Sequence, residues 1–206
     1  MSESTQPIPP AIEPRICLHV GCGPRGPDRL HPAFRGPGWR EVRVDIDRAV
    51  EPDVVASITN LGMTRDGSVD GTWASHIIEH LYAHDVPIAL RELYRVLKPG
   101  GVVRIAVPDL QQACKMVAAG RIEDVAYVSP AGPIKPLDMI FGMREFLASG
   151  MEHMAHRTGF TPRSLASAME NAGFQRVRVD IFDFELWAQA EKPADQGPLA
   201  STVVIA

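Results

Sequence analysis

The sequence predicts a doubly wound α/β domain on a seven-stranded, mainly parallel sheet. Three observations predict it. From Ile16 onwards, short apolar runs alternate with segments of helical periodicity, and such alternation favours a parallel sheet with helices on both faces. The first run, Ile16-Cys17-Leu18-His19-Val20, stops abruptly at Gly21-Cys22-Gly23. Glycine tolerates turns that other residues avoid and lets a ligand touch the main chain. The second run, Val42-Arg43-Val44-Asp45-Ile46, ends in a carboxylate about twenty residues later, an order that suits an adenosine-containing ligand at the sheet edge.

Strand character is strongest at 16–20, 42–46, 53–57, 69–75, 102–107, 176–182 and 184–191. The last two runs are close neighbours and predict an antiparallel hairpin at one edge, hence one antiparallel edge strand. A helix over 85–98 opens at Asp85 with Pro87 in its first turn. Val86, Ala89, Leu90, Leu93, Val96 and Leu97 form one apolar stripe along it. Lys98 occupies its last turn, and Pro99-Gly100-Gly101 stops it. A second helix, 162–172, starts at Thr161 with Pro162 at the first helical position and ends before Gly173. Leu165, Ala168 and Met169 supply its buried face. The segment 110–160 is too long for a simple connection. With three prolines, several methionines, His153 and His156, it reads as a partly helical lid or substrate insertion. Residues 1–14 read as a flexible leader, 15–193 as one domain, and 194–206 as a tail whose Ser201-Thr202-Val203-Val204-Ile205 suits an added strand or a partner contact, leaving a homodimer open.

Composition narrows the function classes. A chain of 206 residues with 45% apolar content supports one α/β domain. A net charge of -4, without basic runs, argues against nucleic acid as a partner. No apolar stretch is long enough to span a bilayer, and the amino terminus lacks a signal peptide's pattern. Cys17, Cys22 and Cys114 show no pairing pattern and suit reduced thiols, so the expected location is cytoplasmic.

Three constellations carry chemistry. Gly21-x-Gly23-x-x-Gly26 matches a dinucleotide pattern, but Pro24 removes a backbone donor and Pro27 prevents a clean helix start. The loop therefore suits an amino-acid or adenosine moiety better than a pyrophosphate. Asp45 can accept hydrogen bonds from both hydroxyls of a ribose, with Asp47 as competitor. In the third, a strand runs into Ser75-His76-Ile77-Ile78-Glu79-His80. His76-x-x-Glu79-His80 has an inverted zinc-peptidase spacing, but that motif belongs on a helix. This one follows a strand, and no metal is expected. His80 is the favoured proton acceptor, since an imidazole titrates near neutrality.

Taken in order, these blocks resemble the class I S-adenosylmethionine-dependent methyltransferases, in particular the small-molecule type 11 group. The resemblance rests on Leu18-His19-Val20-Gly21-Cys22-Gly23, Val44-Asp45-Ile46, Ser57-Ile58-Thr59-Asn60-Leu61, Asp66-Gly67-Ser68-Val69-Asp70 and Ser75-His76-Ile77-Ile78-Glu79-His80-Leu81. Glu92-Leu93-Tyr94-Arg95-Val96-Leu97-Lys98-Pro99-Gly100-Gly101 and His156-Arg157-Thr158-Gly159-Phe160-Thr161-Pro162 extend it. It runs from Ile16 to about Pro193 and is weakest over 110–155. It implies a Rossmann-like fold with S-adenosylmethionine as cofactor. Gly21 and Gly23 would pass beneath the methionine part, flanked by His19, Val20 and Cys22. Asp45 would hold the ribose and Ile46 would pack on the adenine. Ile58 would offer its N–H to the ring beside Ser57, and Ser75 and His76 would line the strand end next to the sulfonium. His19 and Ser57 stand where the family often has acids, and Arg25 where it usually has a third glycine.

The resemblance makes the expected activity methyl transfer to a small molecule. Alignment of the acceptor with the methyl group is then the main task. Where a base is needed, His80, His76, His153 and His156 are candidates in that order, together with Asp109 beyond the strand at 102–107. Rival readings are a non-catalytic module that binds S-adenosylmethionine or S-adenosylhomocysteine, a nicotinamide-dependent oxidoreductase and a zinc hydrolase.

Overall fold

A computed structural model of the protein describes residues 13–194. The expected leader and tail lie outside the described residues except for Glu13, Pro14 and Ala194. The strands are β1 (Arg15–Val20), β2 (Trp39–Asp45), β3 (Val54–Val55), β4 (Val69–Ser75), β5 (Leu97–Pro108), a short hairpin β6 (Tyr127–Ser129) and β7 (Gly132–Ile134), then β8 (Gln175–Phe182) and β9 (Glu185–Glu191). Seven of them pair in the order β3-β2-β1-β4-β5-β9-β8. β1 to β5 are parallel, while β9 runs antiparallel to both β5 and β8. The reversed strand thus lies one place inside the edge, and β8 of the expected hairpin is outermost. The chain leaves β1 for β2 on one side and returns to β4 on the other. The crevice at the carboxyl ends of β1 and β4 is therefore the switch point where such sheets bind ligands.

The helices are α1 (Val86–Val96), α2 (Leu110–Ala118), α3 (Pro136–Phe141), α4 (Arg144–Ala148) and α5 (Pro162–Asn171). The predicted stripe of α1 is buried: Ala89, Leu90, Leu93 and Val96 are all 0% exposed. They pack with Leu18, Val20, Val44, Ile105 and Leu186 of the sheet and with Leu165 and Met169 of α5. Removing one such leucine side chain costs about 2–5 kcal/mol. Thr161 caps α5 as expected, accepting from Ser164 N at 3.2 Å. Asp85 makes no capping bond at α1. The carboxyl end of α1 also differs from expectation. Leu97 already joins β5 beside Val69, and Lys98 turns away to Asp70 at 2.7 Å. The open carbonyls are met instead by Lys192, whose Nζ donates to Tyr94 O at 2.9 Å and Leu97 O at 2.8 Å. A cation there also suits the negative end of the helix dipole.

The sequence predicts helices on both faces, and the structure distributes the cover unevenly. α1 and α5 share one face. Over β1 and β4 the other face is closed by the connection to β2, where Leu30 and Phe34 pack on Cys17, Trp73 and Ala106. His31 sits 5.0 Å from the Trp73 ring and 5.5 Å from Trp187. Its Nδ1 accepts from Ala33 N at 3.0 Å, so the neutral ring carries its proton on Nε2. Burial, then the charges of Arg104 and Arg35, push its pKa down from 6.5 to about 4. The insertion contributes α2, the β6–β7 hairpin, α3 and α4 at the carboxyl end of the sheet. No described helix is long and apolar enough to cross a membrane.

Two expectations follow. Lys192→Met strips buried carbonyls of a charged donor and lowers stability by about 2 kcal/mol in urea unfolding. His31 stays neutral when folded but protonates more readily when unfolded. Its contribution is complete above pH 6.5 and is lost as pH falls toward 4. His31→Asn keeps the Ala33 bond, so the urea midpoint of this variant drops less between pH 7 and 4.5 than that of the wild type.

Candidate functional site

The glycine loop leaves β1 with Gly21 at φ 65° and Gly23 at φ 57°, both left-handed. A side chain at Gly21 would place its Cβ 1.9 Å from Ile77 Cδ1, so only glycine fits. β2 fastens this turn. Val44 O accepts from Gly21 N at 2.8 Å and from Cys22 N at 3.2 Å. Asp45 Oδ2 accepts from Gly23 N at 2.9 Å. Beneath the loop, buried Arg43 donates to the carbonyls of Gly23, Glu51 and Val50, the last two at 2.7 and 3.2 Å. Sequence reasoning passed over Arg43. Its signal was a charged residue between Val42 and Val44, since a guanidinium in a buried strand must find acceptors.

The remaining sequence candidates distribute as follows. Asp45 Oδ1 also accepts from Asp47 N at 2.9 Å, so each carboxylate oxygen has used one acceptor position and keeps another. Ile46 is 58% exposed just beyond it, an apolar platform at the strand end. Ile58 is buried, and its N–H has no partner among the described residues. Ser57 Oγ pairs with Thr59 Oγ1 at 2.8 Å and shapes that turn. Val20 belongs to the core. Cys22 is buried, and burial pushes its thiol up to about 11, so it is an inert loop residue. His19 is buried with Nδ1 2.6 Å from Glu41 Oε1. Burial lowers its pKa and outweighs Glu41, so the neutral ring donates to that carboxylate. A negative charge thus stands close to position 19 but behind the loop, because Glu41 pairs in register with Cys17.

At β4, Ser75 ends the strand beside Ala106, and His76 turns left-handed at φ 54°. Its Nε2 lies 3.1 Å from Glu185 Oε1 and its Nδ1 3.3 Å from Glu79 Oε1. Burial opposes the charged ring, but the two carboxylates prevail and hold its pKa at about 10. His80 is turned toward the insertion, donating from Nδ1 to Ala155 O at 3.2 Å. Asp109 is buried as the cap of α2, accepting from Gln111 N at 2.9 Å. The structure therefore brings Gly21, Gly23, Asp45, Ile46, Ile58 and Ser75 around one crevice and engages His80 and Asp109 elsewhere. Glu41 and Glu185 complete the electrostatics and were not distinguished in the sequence, because their partners His19 and His76 are remote along the chain.

A cavity of about 680 Å³ opens over β5, β9 and β8, beside β6. Tyr127, Phe182, Phe184 and Trp187 give it aromatic walls, and Glu185 joins it to His76. Arg104 reaches it from β5, and its guanidinium has no hydrogen-bond or ion-pair partner among the described residues. Burial lowers the Arg104 pKa.

A protein-family model described as a methyltransferase domain matches residues 18–105, from the glycine loop through β5. A malonyl-[acyl-carrier protein] O-methyltransferase of Dechloromonas aromatica (strain RCB) is 26% identical over 204 residues, covering 91% of this chain and 74% of that protein. Among solved structures, a SAM dependent methyltransferase from Archaeoglobus fulgidus shares the fold at TM-score 0.57 and 16% identity, over 88% of this chain and 87% of that one. The 1,6-didemethyltoxoflavin-N1-methyltransferase of Burkholderia thailandensis, solved with 1,6-didemethyltoxoflavin and S-adenosylhomocysteine, does so at TM-score 0.53 and 16% identity, over 88% and 72%. The chain thus resembles S-adenosylmethionine-dependent methyltransferases: the family model matches its residues 18–105, and the solved structures share its fold.

Proposed function

We propose that the chain is a methyltransferase acting on a small-molecule acceptor, with cofactor contacts at the ends of β1, β2 and β4. The pinned glycine loop beside Asp45 carries this reading. It leaves acceptor positions on Asp45 for a ribose and a free N–H at Ile58 for an adenine edge. Exposed Ile46 supplies an apolar face between them. When bound, S-adenosylmethionine supplies a methyl group activated by the positive sulfur that carries it. The chain's own work is then chiefly alignment and the exclusion of water.

The proton chemistry of the site favours positioning over general-base catalysis. At neutral pH His76 is charged and held between Glu79 and Glu185, so it orients the end of β4 and has no lone pair to offer. Asp109 is committed to α2. An acceptor that reacts through an already deprotonated atom suits this arrangement. The aromatic cavity is the proposed acceptor site, with the insertion as its lid through Tyr127 to Pro130. Flat apolar bodies match its walls, and unpartnered Arg104 favours an anionic group on the acceptor.

Calorimetry with S-adenosylhomocysteine tests the cofactor contacts. The wild type is expected to bind, and Asp45→Asn to bind at least tenfold more weakly, a loss of about 1.4 kcal/mol. No wild-type binding at all would refute the assignment. For the acceptor site, tryptophan fluorescence reads the binding of 1-naphthoate against its methyl ester. The acid is expected to bind at least tenfold more tightly, and Arg104→Gln to erase the difference. Equal binding of acid and ester to the wild type removes the role given to Arg104.

A further inference from the structure

We propose that Glu79, His80 and His156 form a binding site for one divalent transition-metal ion of the zinc class. One ligand atom from each of the three lies within 4.8 Å of the others. The two imidazoles and one carboxylate are a donor set that suits zinc and its neighbours.

Three independent observations support the site. Glu79 is 1% exposed, and neither carboxylate oxygen has a hydrogen bond. His76 offers one of them an ion pair at 3.3 Å without hydrogen-bond geometry. A buried carboxylate so poorly satisfied is costly, and a cation beside it removes the cost. Next, both histidines are oriented so that Nε2 is left for a ligand. His80 Nδ1 lies 3.2 Å from Ala155 O, and His156 Nδ1 lies 2.8 Å from Met139 O. A carbonyl can only accept, so each ring holds its proton on Nδ1 and keeps the Nε2 lone pair for a cation. Backbone carbonyls orient metal-binding histidines in this way. Finally, the site is held in shape before any ion arrives. Arg157 N and Thr158 N donate to Glu79 O at 2.8 and 3.1 Å, and Arg157 Nη1 donates to His80 O at 2.8 Å. At Gly142, φ is 96° and a Cβ would stand 2.3 Å from Met154 O, so the end of α3 lies hard against the strand of chain that carries His156.

Zinc bonds of about 2.0–2.2 Å require ligand atoms about 3.3 Å apart, so closure asks each side chain to move by about 1 Å or less. Three protein ligands leave a fourth position for water or for an oxygen of a bound molecule. The ion would also tie the insertion, through His156, to the loop after β4, through Glu79 and His80. The assembly differs from the inverted zinc-peptidase spacing noted in the sequence. His76 has both ring nitrogens taken up by Glu185 and Glu79, and the third ligand comes from 76 residues beyond His80 in the chain (156 − 80 = 76). The proposal stands independently of the cofactor and acceptor sites.

The test is a titration of chelator-stripped full-length protein with Co²⁺ and Zn²⁺, read by visible absorption, elemental analysis and melting temperature. The expected result is one ion per chain, cobalt d–d bands of a nitrogen–oxygen site without a thiolate-to-cobalt band, and a rise in Tm of about 5–10 °C at saturating metal. His156→Ala and His80→Ala, each checked as folded by circular dichroism, are expected to lose at least tenfold in affinity. Glu79→Gln, which keeps the shape and removes the charge, is expected to do the same. No uptake by folded wild type in metal excess, a thiolate band pointing to cysteine, or undiminished affinity in His156→Ala each overturns the proposal.

Discussion

The turn at Gly21–Gly23 is the constraint on which the rest of the site depends. Two left-handed residues separated only by Cys22 are unfavourable for an ordinary chain, and here β2 holds them from below. Val44 O, Asp45 Oδ2 and the Arg43 guanidinium take up the loop's amides and the Gly23 carbonyl. Because β1 and β2 are in parallel register, with Val20 beside Val44, these groups arrive at the level of the turn without further adjustment. The same bonds place Asp45 and Ile46 at the crevice rim. A buried guanidinium is tolerable only because it has several carbonyl acceptors, so the stability of the loop and the geometry of the site are one problem.

The second consequence of the fold is its uneven cover. α1 and α5 bury one face of the sheet under aliphatic side chains, while the opposite face is closed by aromatic rings on a connection without an α-helix. His31, Trp73 and Trp187 touch one another there, and the cavity lies where that cover stops. Arg104 is the residue that reveals the gap. In a fully covered sheet a guanidinium in the middle of β5 would need a partner, and here it faces a cavity.

At the end of β4, electrostatics decides roles that residue types leave open. His76, Glu79 and His80 follow Ser75 closely, and the fold brings His156 and Glu185 to them from far along the chain. Glu185 and Glu79 together hold a proton on His76, which removes it from base chemistry and makes it an anchor. His80 and His156 point their Nδ1 protons to backbone carbonyls. His156 has its pKa lowered by burial despite Glu79 nearby. Glu79, 1% exposed, is the least satisfied of the group.

The strands of the cofactor half, the stripe of α1, the cap of α5 and the glycine–aspartate order were legible in the sequence because each depends on neighbours within a few residues. Periodicity, a capping hydroxyl and a positive φ are local properties, and local physics writes them locally. The places of Gly21, Gly23, Asp45, Ile46 and Ser75 were legible for the same reason, since they lie at or just past the ends of β1, β2 and β4. What closes the carboxyl end of α1 was not: Lys98 was the local candidate, yet Lys192, 94 positions further on, reaches it (192 − 98 = 94). Nor were the Glu41–His19 and Glu185–His76 pairs, the bare aromatic face, or the meeting of His156 with Glu79 and His80. Those depend on which strands become neighbours and on how the insertion folds back, and a hydrogen bond or ion pair across such distances leaves no spacing in the chain. The sequence by itself determined the strands of the main sheet and the helices α1 and α5. Only the tertiary structure decided the charge, partners and availability of the side chains that surround the crevice, because burial and proximity are properties of the assembled fold.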